Sequence, residues 1–247
     1  MRNSLVLRRR ARRLGLFALV LAFLTLMGSG RASAATLTVC PSGCAYTTIA
    51  GALAAASDGD KIVVGAGTYS GGFTINRSVS LLGAGAGKTT ISGGGPVITI
   101  AILRQVMITG VTISGGSAEF GGGILNGGGS LTLRESTVSG NSASEGGGIF
   151  DLGPLTLNDS KVIGNGAAFG GGIFNQGTLT LNDSTVSGNR AGSGGGIFNN
   201  LVATLKESTV SGNAATINGG GILNFGILTL LDDTVSGNTP NDCVGVC

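Results

Sequence analysis

Between residues 117 and 238 the chain repeats itself every 24 or 25 residues, and a period of that length leaves few folds open. Gly-Gly-Gly-Ile recurs with its Ile at Ile124, Ile149, Ile173, Ile197 and Ile222, and Gly-Asn recurs with its Asn at Asn141, Asn165, Asn189, Asn213 and Asn238. Each unit holds three short apolar segments separated by turn residues. No unit has the long 3.6-residue pattern of a helix, so helical arrays and helix-bearing leucine-rich repeats are excluded. A propeller blade needs about 40 residues. Three short strands per coil fit a parallel β-helix. The 48 glycines would otherwise suggest collagen or disorder. Collagen needs a three-residue period, which is absent, and disorder needs few aliphatics, whereas 42% of residues are hydrophobic.

Alternation assigns the walls. In Leu131-Thr132-Leu133 the two leucines face inward and the threonine outward. Leu155/Leu157, Leu179/Leu181, Ala203/Leu205 and Leu228/Leu230 repeat the pattern. Val138, Val162, Val186, Val210 and Val235 supply a further wall, and the repeat Ile another. A single coil buries too little to offset the entropy of ordering it, so the coils must stack at ~4.8 Å and share strand hydrogen bonds. Stacking places equivalent residues in columns, and the column from Asn141 to Asn238 is expected to form an amide ladder.

The ends differ from the middle. Residues 1–35 show a basic start (Arg8, Arg9, Arg10, Arg12, Arg13), an apolar run from Leu14 to Met27, and Ala32-Ser33-Ala34. That is the order of a secretory signal peptide, with cleavage expected near Ala34 or Ala35 and a secreted or cell-surface product. The apolar run is short for a membrane span. Residues 36–60 read as an N-terminal cap: a cysteine loop, then a helix begun by Thr47-Thr48 and ended near Asp58-Gly59. Residues 61–116 carry irregular coils, 117–238 the regular ones, and 239–247 a tail. Seven of the 15 basic residues lie at or before Arg31, so the remainder has 8 basic and 12 acidic groups, a net of −4 and no nucleic-acid footprint. Cys40, Cys44, Cys243 and Cys247 form one Cys-x-x-x-Cys pair at each end. Export permits disulfides, and opposite ends of an elongated fold cannot share one zinc ion. Local pairing, Cys40–Cys44 and Cys243–Cys247, is expected, with the second loop folding over the last coil.

Thr48-Ile49 through Gly59-Asp60-Lys61-Ile62-Val63-Val64, then Gly67-Thr68-Tyr69 and Leu81-Leu82-Gly83, resembles the start of secreted pectate-lyase-like β-helix proteins. The Gly-Gly-Gly-Ile-Phe/Leu-Asn units resemble the repeats of bacterial polymorphic outer membrane proteins. The resemblance implies an all-β, right-handed, single-stranded parallel β-helix with an N-terminal capping helix. It also opens polysaccharide lyase or glycoside hydrolase activity as an alternative function.

Candidate chemistry is sparse. Gly83 to Thr89 looks like a phosphate-binding loop, but Leu82 stands where the first glycine belongs and a strand follows where a helix is needed. The glycine units lack the Asp and the nine-residue period of calcium-binding repeats. Glu135, Asp159, Asp183, Glu207 and Asp232 form an acidic column; its members are either exposed turn carboxylates or weak calcium sites. Polysaccharide-cleaving enzymes need clustered carboxylates. Here Asp151 stands alone among Asn126, Asn175, Asn199 and Asn224, the sequence has no His, and Asp232 of the Asp232-Asp233 pair is the fifth member of the acidic column, so no catalytic residue is assigned. Leu125, Phe150, Phe174, Phe198 and Leu223 form an apolar column. If the repeat Ile points inward these five point outward, as an aromatic stripe suited to stacking on sugars or a partner protein; a bend after Ile would instead bury them. Rows such as Thr137/Ser139 and Thr185/Ser187 are interrupted by Lys161 and Ile163, too irregular for an ice-binding face. The expected function is therefore glycan or partner binding without catalysis, with no cofactor unless the acidic column holds calcium.

Overall fold

The structure, a computed structural model, describes residues 33–247. The leader expected over residues 1–35 lies almost wholly outside the described residues. From Ala34 onward the chain is one parallel β-solenoid. Sheet 1 has nine strands, running from Thr36–Val39 and Lys61–Val64 to Ile227–Leu231. Sheet 2 has eight, from Gly67–Ser70 to Thr234–Ser236, and sheet 3 has eight, from Phe73–Ile75 to Ile222–Asn224 and Cys243–Gly245. Neighbouring strands are parallel and in register: Leu131 pairs with Leu155, Leu155 with Leu179, and Val138 with Val162.

The inward residues are those that alternation selects. Leu131, Leu133, Val138, Ile124 and their equivalents in the next coils are buried in one continuous core. Columns of like side chains fill a prism of constant cross-section, which is why the repeat tolerates so little variation there. Close packing also accounts for the glycines before each Ile. A Cβ on Gly172 would lie 2.6 Å from the Gly196 carbonyl oxygen and 3.0 Å from Asn189 Nδ2.

Each regular coil contains four strands where three are expected from sequence. Ser117–Phe120, Ser142–Glu145, Gly166–Phe169, Arg190–Ser193 and Ala214–Asn218 form a separate five-stranded sheet 4. It sits between the Gly-Asn turn and the Gly-Gly-Gly-Ile turn, a stretch that contains few β-branched residues.

Polar ladders run along two buried turns. Asn141 Nδ2 donates to Asn165 Oδ1 at 3.0 Å, and the pattern continues through Asn189 and Asn213 to Asn238. Each Oδ1 also accepts the backbone N–H of the preceding rung's Asn. Asn238 donates to Asp242, an acceptor-only side chain that ends the series. Between sheets 1 and 2, Ser160, Ser184 and Ser208 hydroxyls accept N–H groups of the preceding rung, and Asp233 does so for Ser208. Asp233 is thus the terminal member of a serine column.

At the N-terminal end the helix Ile49–Ala55 is capped by Thr48, whose Oγ1 accepts from Gly51 N–H at 3.1 Å, and buries Ile49, Ala52 and Leu53 over the first coil. Both disulfides are local, Cys40–Cys44 and Cys243–Cys247. The C-terminal loop does not fold across the last coil. It adds a strand to sheet 3, Cys243 pairing with Ile222, and leaves Leu230 38% exposed and Leu228 half-buried.

Candidate functional site

The column proposed from sequence as an exposed stripe is covered. Phe150, Phe174, Phe198 and Leu223 are 6%, 5%, 9% and 3% exposed, and Leu125 is half-buried. They do point away from the main core, as alternation requires, but into a second small core of their own. Phe150, Phe174 and Phe198 stack at centroid distances of 5.3 and 4.8 Å with nearly parallel planes. Phe120 and Phe169, at the ends of sheet 4 strands, cover them at 5.1 and 5.9 Å. The correction follows from the fourth sheet: an outward face becomes an inner one once a further strand per coil lies over it. Neither a bend after Ile nor free exposure describes these rings.

The acidic column lies in the turn between sheets 1 and 2. Glu135, Asp159, Asp183, Glu207 and Asp232 are all exposed and all adopt left-handed backbone, φ from 47° to 59°. That geometry costs an L residue about 1–2 kcal/mol, least where a short polar side chain can bond locally. Among the described residues no three His, Cys, Asp or Glu side chains come together as a metal-holding group. The Gly83 to Thr89 segment is a turn leading into the strand Thr89–Ser92, with Thr89 Oγ1 donating to the Gly65 carbonyl, so no helix N-terminus faces it.

Sheet 1 presents a different surface. Its outward residues form three columns. The middle one runs Lys61, Ser80, Met107, Thr132, Thr156, Thr180, Thr204, Thr229. Beside it lie Thr109, Arg134, Asn158, Asn182 and Lys206, with Asn182 donating to Asn158 at 2.8 Å. At the N-terminal end of this face is a groove of about 340 Å³ lined by Ser78, Ser80, Gln105, Met107, Ser130 and Thr132, with Gly59 at its edge. Its floor is fixed by the inward-facing Val106 and the coil interior behind it.

The rim is held by short-range bonds. Ser78 N–H donates to Asp58 Oδ1 at 2.7 Å, and Gln105 N–H to Ser78 Oγ at 3.1 Å. Arg104 pairs with Asp58 at 3.6 Å, a half-exposed pair that positions more than it stabilises. Arg104 Nε is buried with no acceptor. The groove therefore offers hydroxyls, an amide and a thioether, with a guanidinium close by. None of its lining residues is a carboxylate, His or Cys, and the rim carboxylate, Asp58, is engaged by Ser78 N–H and Arg104. Sequence reasoning passed over it because Ser78, Ser80, Gln105 and Met107 come from the irregular coils, where Ser80 to Met107 is 27 residues against the 25 from Met107 to Thr132.

One buried carboxylate stands apart. Asp151 is fully buried in the turn between sheets 3 and 1, in a third column with Asn126, Asn175, Asn199 and Asn224. Burial pushes its pKa up to about 7, against the opposing effect of bonds from Asn126 and Gly153. It is not among the residues lining the groove.

No protein-family model matches the sequence, and no curated protein sequence matches it. Solved structures do. The chain superposes on a pectin methylesterase from Aspergillus niger with a TM-score of 0.52 at 13% identity, covering 86% of this chain and 90% of that one. The pectin methylesterase PemA from Erwinia chrysanthemi gives 0.52 at 15% identity, over 79% and 71%. A pectin methylesterase in complex with a hexasaccharide gives 0.52 at 15% identity, over 80% and 71%. At these identities the likeness shows the parallel β-helix fold alone.

Proposed function

We propose that the protein is an exported β-helix, secreted or held at the cell surface, that binds polysaccharide along the outer face of sheet 1 without cleaving it. The groove around Met107 carries this reading. It is a solvent-facing cavity lined by hydroxyl and amide groups and by the Met107 thioether, on a face whose Thr column rises by one strand spacing per coil. Sugars offer rows of hydroxyls and C–H patches, which such a surface pairs with hydrogen bonds and thioether contact. Lys61 on the same column and Arg104 at the rim favour an acidic glycan. The structural neighbours are named for action on pectin, and one is in complex with a hexasaccharide, which makes acidic plant polysaccharide the first class to try.

The alternative, a polysaccharide lyase or glycoside hydrolase, rests on the resemblance of the first coils to pectate-lyase-like proteins, and the methylesterase neighbours add ester hydrolysis to what must be tested. Incubation with a panel of acidic polysaccharides, with and without Ca²⁺, separates the two. Binding without release of reducing ends, unsaturated products or methanol is the expected result. Product formation would replace the binding reading with the enzymatic one.

A further inference from the structure

Asp60 is a buried carboxylate, 7% exposed, and no cationic side chain pairs with it among the described residues. Its Oδ2 accepts Ser57 N–H at 2.8 Å. Its Oδ1 accepts the backbone N–H of Ala35 at 2.7 Å. Both bonds hold the carboxyl below its ordinary range. Ala35 is itself pinned, its carbonyl accepting Lys61 N–H at 2.8 Å, and the first strand of sheet 1 begins at the next residue. The nitrogen bonded to this carboxylate belongs to the peptide that follows Ala32-Ser33-Ala34, the small-residue pattern at which leader peptides are cut.

We infer that a leader peptidase cuts between Ala34 and Ala35, and that Asp60 is the receptor for the new amino terminus. The inference rests on the export reading above. Hydrolysis consumes one water, breaks the Ala34–Ala35 amide, and leaves a carboxylate on Ala34 and an α-ammonium on Ala35. The ammonium replaces the amide N–H at the same atom, so the Asp60 hydrogen bond becomes a charge-assisted one without movement of the chain. A cut one residue later would discard Ala35, and with it the donor to Asp60 and the acceptor for Lys61 N–H. The pair ties the mature terminus to the turn that leads into Lys61–Val64, beside the capping helix and Asp58. An amine with an opposite charge in contact is held protonated above its ordinary pKa, so its stabilising effect is full from above the titration of Asp60 up to about pH 7.7 and is lost as pH rises through the raised value.

The test uses the full chain expressed in an exporting host. Intact mass and amino-terminal sequencing of the exported protein should give a chain beginning at Ala35. A chain beginning at Thr36 would overturn the inference and leave the export reading intact; a chain that keeps Met1 would overturn both. The same wild-type protein and Asp60→Asn are then acylated with an amine-selective reagent at pH 7. The wild-type α-amine should react at least ~10-fold more slowly, one pKa unit or more of protection. Equal rates in the two proteins would show that Asp60 does not hold the terminus.

Discussion

At the scale of single residues, the ladders explain which acids are ordinary and which is not. Each runs in one direction, an amide or backbone donor on one rung facing an oxygen on the next. Asp242 and Asp233 sit at the last rungs, where an acceptor with nothing to donate is what the series needs. Asp151 is internal. Asn126 Nδ2 donates to its Oδ1 at 2.6 Å, but its Oδ2, buried and without a partner, stands where the other rungs carry an NH₂ group, and its register neighbour is Asn175. Asn175 in turn donates to Asn199 Oδ1 at 2.6 Å. Burial raises the pKa to about 7, which favours the protonated form, the one that carries a donor. Because the folded state holds this proton more tightly than the unfolded chain, the group's contribution is full below about pH 4. It declines as pH rises to about 7 and is flat above. Three pKa units correspond to roughly 4 kcal/mol. Asp151→Asn restores the donor, so the variant should gain stability over wild type progressively between pH 4 and 7, by up to that amount. Denaturant melts across this range check it, and a difference independent of pH would place an ionised carboxylate in the turn. Sequence showed Asp151 as the odd member of its column; that the column was buried was not readable from residue types, since Asn is common on surfaces too.

At the scale of elements, the legible parts were those with a period. Leucine alternation, the valine wall, the 24- to 25-residue return of Asn and the helix cap at Thr48 each rest on side chains that repeat or on a local bond. Sheet 4 repeats only an alanine column, Ala118, Ala143, Ala167, Ala191 and Ala215, a residue with little strand preference. Its strands are held by register with one another and by the phenylalanines beneath. The aromatic column was seen and its outward direction was right, but its cover was invisible. Burial has a measurable consequence. Phe174→Ala removes the middle ring of a stack and should cost about 3–5 kcal/mol, whereas a ring on the surface would leave no cavity. Thermal or denaturant melts of Phe174→Ala measure it; a loss below about 1 kcal/mol would mean that sheet 4 does not close over the stack. The groove was illegible for a related reason. Its lining is assembled from coils of unequal length, and only register brings Ser80, Met107 and Thr132 into one column.

At the scale of the whole molecule, a solenoid separates tasks by side. The interior columns and ladders set stability. Sheet 4 seals one flank, the helix covers one end, and the outer face of sheet 1 is left uncovered, polar along its threonine column, apolar at Ile227 and Leu231, with a groove at its N-terminal end. Met107 provides a probe of that surface. The sequence contains three methionines, Met1, Met27 and Met107, of which Met107 alone lies among the described residues, 40% exposed in the groove. A bound glycan lying there shields the thioether from oxidant. The most direct measurement is therefore the rate of Met107 sulfoxide formation by dilute peroxide, followed by mass spectrometry, with and without pectin-derived oligosaccharide. The account predicts slower oxidation as saccharide is added, saturating with the same half-point as binding measured by calorimetry. Saccharide binding that leaves the Met107 oxidation rate unchanged would place the binding site elsewhere and contradict it.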